Sequence, residues 1–141
     1  MAQVIVFTNE DGGVSVCVPT GEIHIDDVKT KDTPDHSIIV DDSILPISDN
    51  DFFDSWELNG STISVNITKS IAQQQSKLNS IAKIEVNHRA TNTGAGIENK
   101  LSDSDWLSLL STARSTIASS TTTQQLRDAI APVENAINAN A

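Results

Sequence analysis

The sequence predicts an α+β protein. A small, mostly antiparallel β-sheet domain is expected over residues 1–66, followed by two or three helices over residues 67–141. Short β-branched runs with alternating polarity, separated by turn residues, occupy the first half. In the second half, apolar residues recur at intervals of three and four, which is the period of a helix. The acidic residues are concentrated in the first half, so the two halves also differ in charge.

Two strand signals joined by a turn open the chain. Val4–Phe7 is β-branched and aromatic, and residues 14–18 alternate valine with Ser or Cys. The segment 8–13 between them is polar and contains two glycines, so the three segments together predict a β-hairpin. A third strand is expected at 37–40, which is again β-branched.

The segment Ile23–Lys31 fits two structures. Ile23 and Ile25 alternate as in a strand, whereas Ile25 and Val28 have helical spacing. The two acids that follow Ile25 suit the first turn of a helix, because the helix dipole favours negative charge there. We favour a short helix that ends before Pro34.

A cluster of aromatic residues precedes the strongest turn signal. Phe52, Phe53 and Trp56 meet on one side of a helical turn, while a strand would place Trp56 beside Leu58. Asn59-Gly60 is a typical two-residue hairpin turn, so we expect strands at about 55–58 and 62–66. The candidate core anchors of the protein are Phe52, Phe53, Trp56 and Trp106.

A long helix is expected from about 67 to 90. Written in heptads, its seam is Ile67, Ile71, Gln74, Leu78, Ile81, Glu85 and His88. The candidate partner or oligomer contacts on it are Ile71, Gln74, Leu78 and Ile81. A polar Gln in such a seam can select register or oligomeric state. The alternative is a helix that packs against its own sheet.

The remaining chain predicts a loop and two more helices. The polar segment Asn87–Asn99, which contains two glycines within 91–96, indicates a loop. A helix is expected over 103–118, with Ser102 as its N-cap, because apolar residues recur there at helical spacing. A last helix is expected over 123–138, and Pro132 should kink or split it, because proline lacks the N–H that the helix needs.

Charge and cysteine content indicate which partners and which cross-links the protein can have. Residues 1–60 contain 13 acids and two lysines, a net charge of −11, while the whole chain carries −10. Such a half repels phosphates, so neither nucleic acid nor an anionic membrane is expected as a partner. It could dock on a basic protein, or simply form a solvated surface. Cys17 is the single cysteine, so no intramolecular disulfide can form. We expect no signal peptide and no membrane span.

No constellation of residues predicts catalysis. His24, His36 and His88 are scattered, without a second metal ligand at the usual spacing. Asp49–Asp54 is acidic, but it lacks the central Gly and final Glu of a calcium loop. No nucleophile motif or phosphate-binding glycine loop is present. We therefore expect a protein that is not an enzyme and that uses no cofactor or metal.

A series of short motifs follows in order along about the first 80 residues. The motifs are Asp11-Gly12-Gly13-Val14, Val18-Pro19, Lys31-Asp32-Thr33-Pro34, Val40-Asp41, Leu45-Pro46, Phe53-Asp54-Ser55-Trp56-Glu57-Leu58, Val65-Asn66 and Thr68-Lys69. The series resembles a family of short proteins encoded by tailed bacteriophages, usually among virion or tail genes. The family's long helix is often Arg-rich, whereas here it is Gln-rich, so the resemblance does not extend over the C-terminal half.

The resemblance implies a structural protein of the phage tail or head–tail region. It would be made in the host cytoplasm and reside in the virion. There it would contact other phage structural proteins, in several copies or as a homo-oligomer. A phage tail or tail-fibre assembly chaperone is the alternative that fits the same features. A third hypothesis, based on the acidic residues, is a regulator that blocks a host nucleic-acid-binding protein.

Overall fold

A computed structural model describes residues 2–140 of the chain. It confirms the α+β class, with antiparallel sheets followed by long helices. The chain divides into two compact units, one ending at Asn66 and the other beginning at Ile67. We call them the sheet unit and the helical unit, and we describe each by itself.

The sheet unit contains two small antiparallel sheets. The first has the strand order β2–β1–β3 and the second pairs β4 with β5. The strands are β1 (Gln3–Thr8), β2 (Val14–Cys17), β3 (Ile38–Asp41), β4 (Trp56–Asn59) and β5 (Thr62–Val65). In the register of the first sheet, Val6 lies opposite Val16 and Val4 lies opposite Val40. The predicted hairpins and the third strand are therefore confirmed.

Local hydrogen bonds explain why these turns form where they do. The Asn9 side-chain oxygen accepts from the backbone N–H groups of Asp11 and Gly13, which closes the β1–β2 turn. Gly60 has a φ of 62°, a left-handed conformation that suits glycine, in the turn between β4 and β5. Both turns are thus determined by residues within the turn itself.

Between β2 and β3, the prediction of a short helix within Ile23–Lys31 is confirmed. Helix α1 spans Ile25–Asp32 and ends before Pro34. His24 caps its N-terminus, because the imidazole Nδ1 accepts from the backbone N–H of Asp26 at 3.2 Å. Val28 is the one residue of α1 that is fully buried. Helical spacing therefore outweighed the strand-like alternation.

The core of the sheet unit forms around Trp56, which is buried with Val4, Val6 and Val14. Phe52 is buried too, but Phe53 is 36% exposed, so its prediction as a core anchor is wrong. The reason is local: the segment Ile47–Ser55 consists of 3₁₀ turns interrupted at Asp49 and Phe52, rather than a regular helix. Phe53 consequently lies against the Trp56 ring, with centroids 4.8 Å apart, and keeps part of its surface in solvent.

The helical unit is a bundle of α2 (Ile67–Gly94), α3 (Asp103–Ala118) and α4 (Thr123–Asn140). Side-chain contacts define their directions. Arg89, late in α2, donates to the Leu101 carbonyl just before α3, and Gln75, early in α2, donates to the Arg114 carbonyl late in α3. Helix α3 therefore runs antiparallel to α2. Gln74 donates to the Leu126 carbonyl near the start of α4, so α4 begins beside the early part of α2.

Helix α2 is longer than expected, because residues 91–94 of the predicted loop are helical. Its end is a Schellman motif: Ile97 N–H bonds to the Asn92 carbonyl and Gly96 N–H to the Thr93 carbonyl. Gly96 has a φ of 74°, as this motif requires. The two glycines thus mark the helix end rather than the middle of a loop.

Helices α3 and α4 lie close to their predicted bounds. Ser102 caps α3 as expected, with its hydroxyl accepting from the Asp105 N–H. Helix α4 contains Pro132 and is one helix, so of the two predicted effects of the proline, a split does not occur, and a kink stays a prediction. The buried residues Ile130 and Val133 flank Pro132 on both sides. Packing of this face stabilises the helix through the position where proline removes a hydrogen bond.

Candidate interaction surfaces

The seam predicted on α2 packs against the other helices of the helical unit. Gln74 and Leu78 are buried in the bundle, and the Gln74 amide donates to the Leu126 carbonyl at 2.9 Å. The sequence predicted these two residues as partner contacts, but the structure places both in the core of the protomer. Ile71 and Ile81 are half-buried at the sides of the same face. The period of a helix indicates which face is covered, but not which helices cover it.

A buried ion pair lies further along the same face of α2. Glu85 Oε1 is 3.2 Å from Arg89 Nε, and both side chains are buried. The Arg89 guanidinium also donates to Asp103 Oδ1 at 3.0 Å and lies 5.4 Å from the centre of the Trp106 ring. His88 Nδ1 lies 3.7 Å from Glu85 Oε2. This cluster joins the end of α2 to the beginning of α3.

Beside that cluster, an open groove runs between α2 and α3. It consists of two cavities of about 660 and 650 Å³ that share Val86, Leu107 and Leu110, and we call it the α2–α3 groove. Trp106 and Leu110 are buried in its floor, whereas Val86 is 59% and Leu107 61% exposed along its sides. Contiguous exposed apolar side chains of this kind mark interaction sites on soluble proteins.

The charges that line the α2–α3 groove are mainly positive. The lining contains three cations, Lys83, Arg89 and Arg114, and one anion, Asp103, which gives a net charge of +2. Arg89 and Asp103 pair with each other. Within residues 2–140, the side chains of Lys83 and Arg114 form no ion pair. The groove therefore offers an apolar strip with two available cations, and it suits a ligand with apolar and acidic groups.

The sheet unit presents a surface of the opposite charge. Its segment 47–54, which we call the acidic turn, exposes Ile47 and Phe53 together with Asp51 and Asp54. The Trp56 indole N–H donates to the Asp49 carbonyl, which fixes this segment against the core. The acidic turn is therefore an ordered surface with two apolar side chains among carboxylates.

The titratable residues that could have formed a metal site serve local structure. His24 caps α1, and His36 Nε2 lies 3.1 Å from the Thr8 carbonyl. Within residues 2–140, no group of three or more His, Cys, Asp or Glu side chains is arranged so that it could hold a metal ion. In the same part of the chain, no helix has the length and apolar character needed to cross a membrane.

Sequence reasoning missed the α2–α3 groove, although a signal for it exists. Trp106, Leu107, Leu109 and Leu110 are four apolar residues within five positions, more than one face of a helix can bury. Leu107 is the one that remains exposed. Comparisons of the chain with protein-family models, with characterised proteins and with solved structures give no match.

Proposed function

We propose that this protein is a structural component of a tailed-bacteriophage particle, in the tail or head–tail region. It acts through protein–protein contacts and is present in several copies. The motif series from Asp11 to Lys69 supports the phage assignment. The observation that carries the mode of action is the α2–α3 groove, an open apolar surface beside two available cations.

The distribution of charge supports protein partners rather than nucleic acid. The sheet unit, residues 1–66, contains 13 acidic residues and two lysines, a net charge of −11. Such a surface repels a phosphate backbone and attracts a basic protein surface. The groove in the helical unit adds apolar area, which supplies binding free energy that charge alone does not.

An assembly chaperone for the tail or tail fibre is the second candidate. The same groove favours it, because an apolar channel with basic sides can shield an aggregation-prone segment of a client protein. The third hypothesis, an acidic regulator of a host nucleic-acid-binding protein, receives less support. It calls for one continuous acidic face, whereas many acids lie in turns and helix ends, such as Asp11 beside Gly12 and Asp26 in the first turn of α1.

Quantitative mass spectrometry of purified phage particles tests the proposal. We expect the protein in mature particles at a fixed copy number relative to the major capsid protein, matching a ring or vertex symmetry. Absence from particles, combined with abundance in infected cells, would contradict the structural role. A particle-free protein that co-purifies with an unassembled tail component would then indicate the chaperone.

A further inference from the structure

We propose that copies of this chain associate head to tail, with the acidic turn of one copy docked in the α2–α3 groove of the next. The inference deepens the proposed function, since it states how several copies contact one another. It rests on that function only for its biological setting. Its test uses the purified chain in solution, so the two proposals can fail separately.

The α2–α3 groove and the acidic turn are complementary in charge. The groove lining carries +2, whereas the acidic turn contains Asp49, Asp51 and Asp54 and carries −3. Opposite charges attract over about 10 Å at moderate salt, which accelerates encounter and disfavours groove-to-groove or turn-to-turn pairing. Two copies therefore meet most favourably through unlike surfaces.

The α2–α3 groove and the acidic turn both expose apolar side chains. Ile47 is 62% exposed on the acidic turn, and Phe53, which is 36% exposed, belongs to the same segment. Both are hydrophobic anchors of the kind that fill pockets at the centre of interfaces. The groove presents Val86 and Leu107 as the matching apolar surface, and each of its cavities can hold more than one side chain. Burial of these residues against each other removes exposed apolar area from both copies.

The arrangement of charges along the groove indicates the orientation of the docked turn. At one end, Asp103 already pairs with Arg89. At the other end, Lys83 and Arg114 form no ion pair within the described residues. Asp54 follows Phe53 directly, so a turn whose Phe53 ring contacts Leu107 can pair Asp54 with the cations at the Lys83 end. The acidic turn thus docks with its carboxylates at the Lys83 end.

Order within the turn lowers the cost of binding. Phe53 is held against Trp56, and the Trp56 N–H bonds to the Asp49 carbonyl, so the segment has little freedom left to lose. Because the groove and the turn are different patches, the contact is heterologous. Such contacts close into a ring when the rotation per step permits and otherwise continue as a filament. Either outcome gives a multi-copy element.

Sedimentation velocity of the full chain over a concentration series provides the first test. We expect species heavier than the 15.1 kDa protomer at ~0.05 M NaCl, and at least a tenfold weaker association at ~0.5 M NaCl, because salt screens the charge pairs. A protomer that stays monomeric throughout the concentration series at low salt would overturn the proposal.

Two surface variants separate the two sides of the contact. Leu107→Asp disables the groove and Ile47→Asp disables the turn, and both residues are about equally exposed. Each variant alone should raise the dissociation constant at least tenfold while its thermal melting stays close to that of the original chain. Ile84→Asp, at an equally exposed apolar site of α2 outside the groove lining, is the matched control and should associate normally.

Mixing the two disabled variants gives the sharpest outcome. Leu107→Asp keeps an intact turn and Ile47→Asp keeps an intact groove, so an equimolar mixture should form one-to-one dimers and nothing larger. A mixture that stays monomeric would overturn the head-to-tail contact. Loss of association in Leu107→Asp but not in Ile47→Asp would indicate pairing of groove with groove and would also overturn it. Asp54→Lys provides a second turn variant, with the same expected loss.

Discussion

The sheet unit and the long helix α2 bury different kinds of side chain, while α3 and α4 bury mainly apolar residues. The sheet unit buries an apolar cluster of Val4, Val6, Val14 and Trp56. The main buried face of α2 in the helical unit is largely polar and consists of Ser70, Gln74, Leu78, Ala82, Glu85, Arg89 and Asn92. An apolar core tolerates exchange among side chains of similar volume, whereas a buried polar face depends on each partner being present. The comparison therefore predicts different sensitivities to mutation.

Leu78→Asp should have the largest effect. Leu78 is fully buried between helices, and an isolated carboxylate there costs about 5 kcal/mol or more unless the bundle opens. Circular dichroism should show loss of most helical signal. Ile84→Asp, which places the same charge on an exposed site of the same helix, should retain it. A helical Leu78→Asp variant that merely changes oligomeric state would restore the idea that this residue is a contact between chains.

Trp56→Ala should destabilise the sheet unit by about 3–5 kcal/mol, the usual cost of deleting a large buried aromatic side chain. Thermal or urea unfolding, followed by far-ultraviolet circular dichroism, measures this loss without depending on the deleted indole. Phe53→Ala is the matched control, and its smaller effect should reflect its partial exposure. Equal effects of the two substitutions would contradict the assignment of Trp56 as the core anchor and of Phe53 as a surface residue.

Glu85→Ala should destabilise the helical unit by about 1–3 kcal/mol, because the buried Arg89 guanidinium loses its carboxylate on α2 and keeps only Asp103 as an ion-pair partner. Glu134→Ala, which removes the exposed pair with Lys77, should cost less than about 1 kcal/mol. Urea unfolding monitored at Trp106 measures both. The double variant Glu85→Leu/Arg89→Met tests the cause: recovery of most of the lost stability would show that the cost arises from the buried Arg89 charge rather than from lost packing.

Acid should produce the smallest of these effects, at the end of β3. The Ser43 N–H donates to Asp41 Oδ1 at 2.9 Å, and this backbone hydrogen bond lowers the pKa of Asp41 from its ordinary value of 3.8. A lowered folded-state pKa stabilises the protein above pH 3.8, and this contribution disappears as the pH falls through the folded-state pKa. Asp41→Asn should flatten the pH dependence of the melting temperature slightly below pH 3.8, and an unchanged pH dependence would contradict this role of Asp41.

Features that depend on neighbouring residues could be predicted from the sequence. The β1–β2 turn is closed by Asn9, the β4–β5 turn contains Gly60, and Ser102 caps α3. Each of these is determined by hydrogen bonds or dihedral angles within a few residues. Predictions failed where distant packing competes with local preference. Pro132 is an example, because the buried residues on both sides of it hold α4 together.

The sequence by itself determined the α+β class, the local turns and caps, and the contrast between an acidic first half and a nearly neutral second half. Only the tertiary structure decided that Gln74 and Leu78 are buried in the helical unit, with Gln74 bonded to α4, and that Leu107 and Val86 stay exposed in a groove. The physical reason is that periodicity identifies the apolar face of a helix, whereas the neighbours of that face depend on how the helices pack.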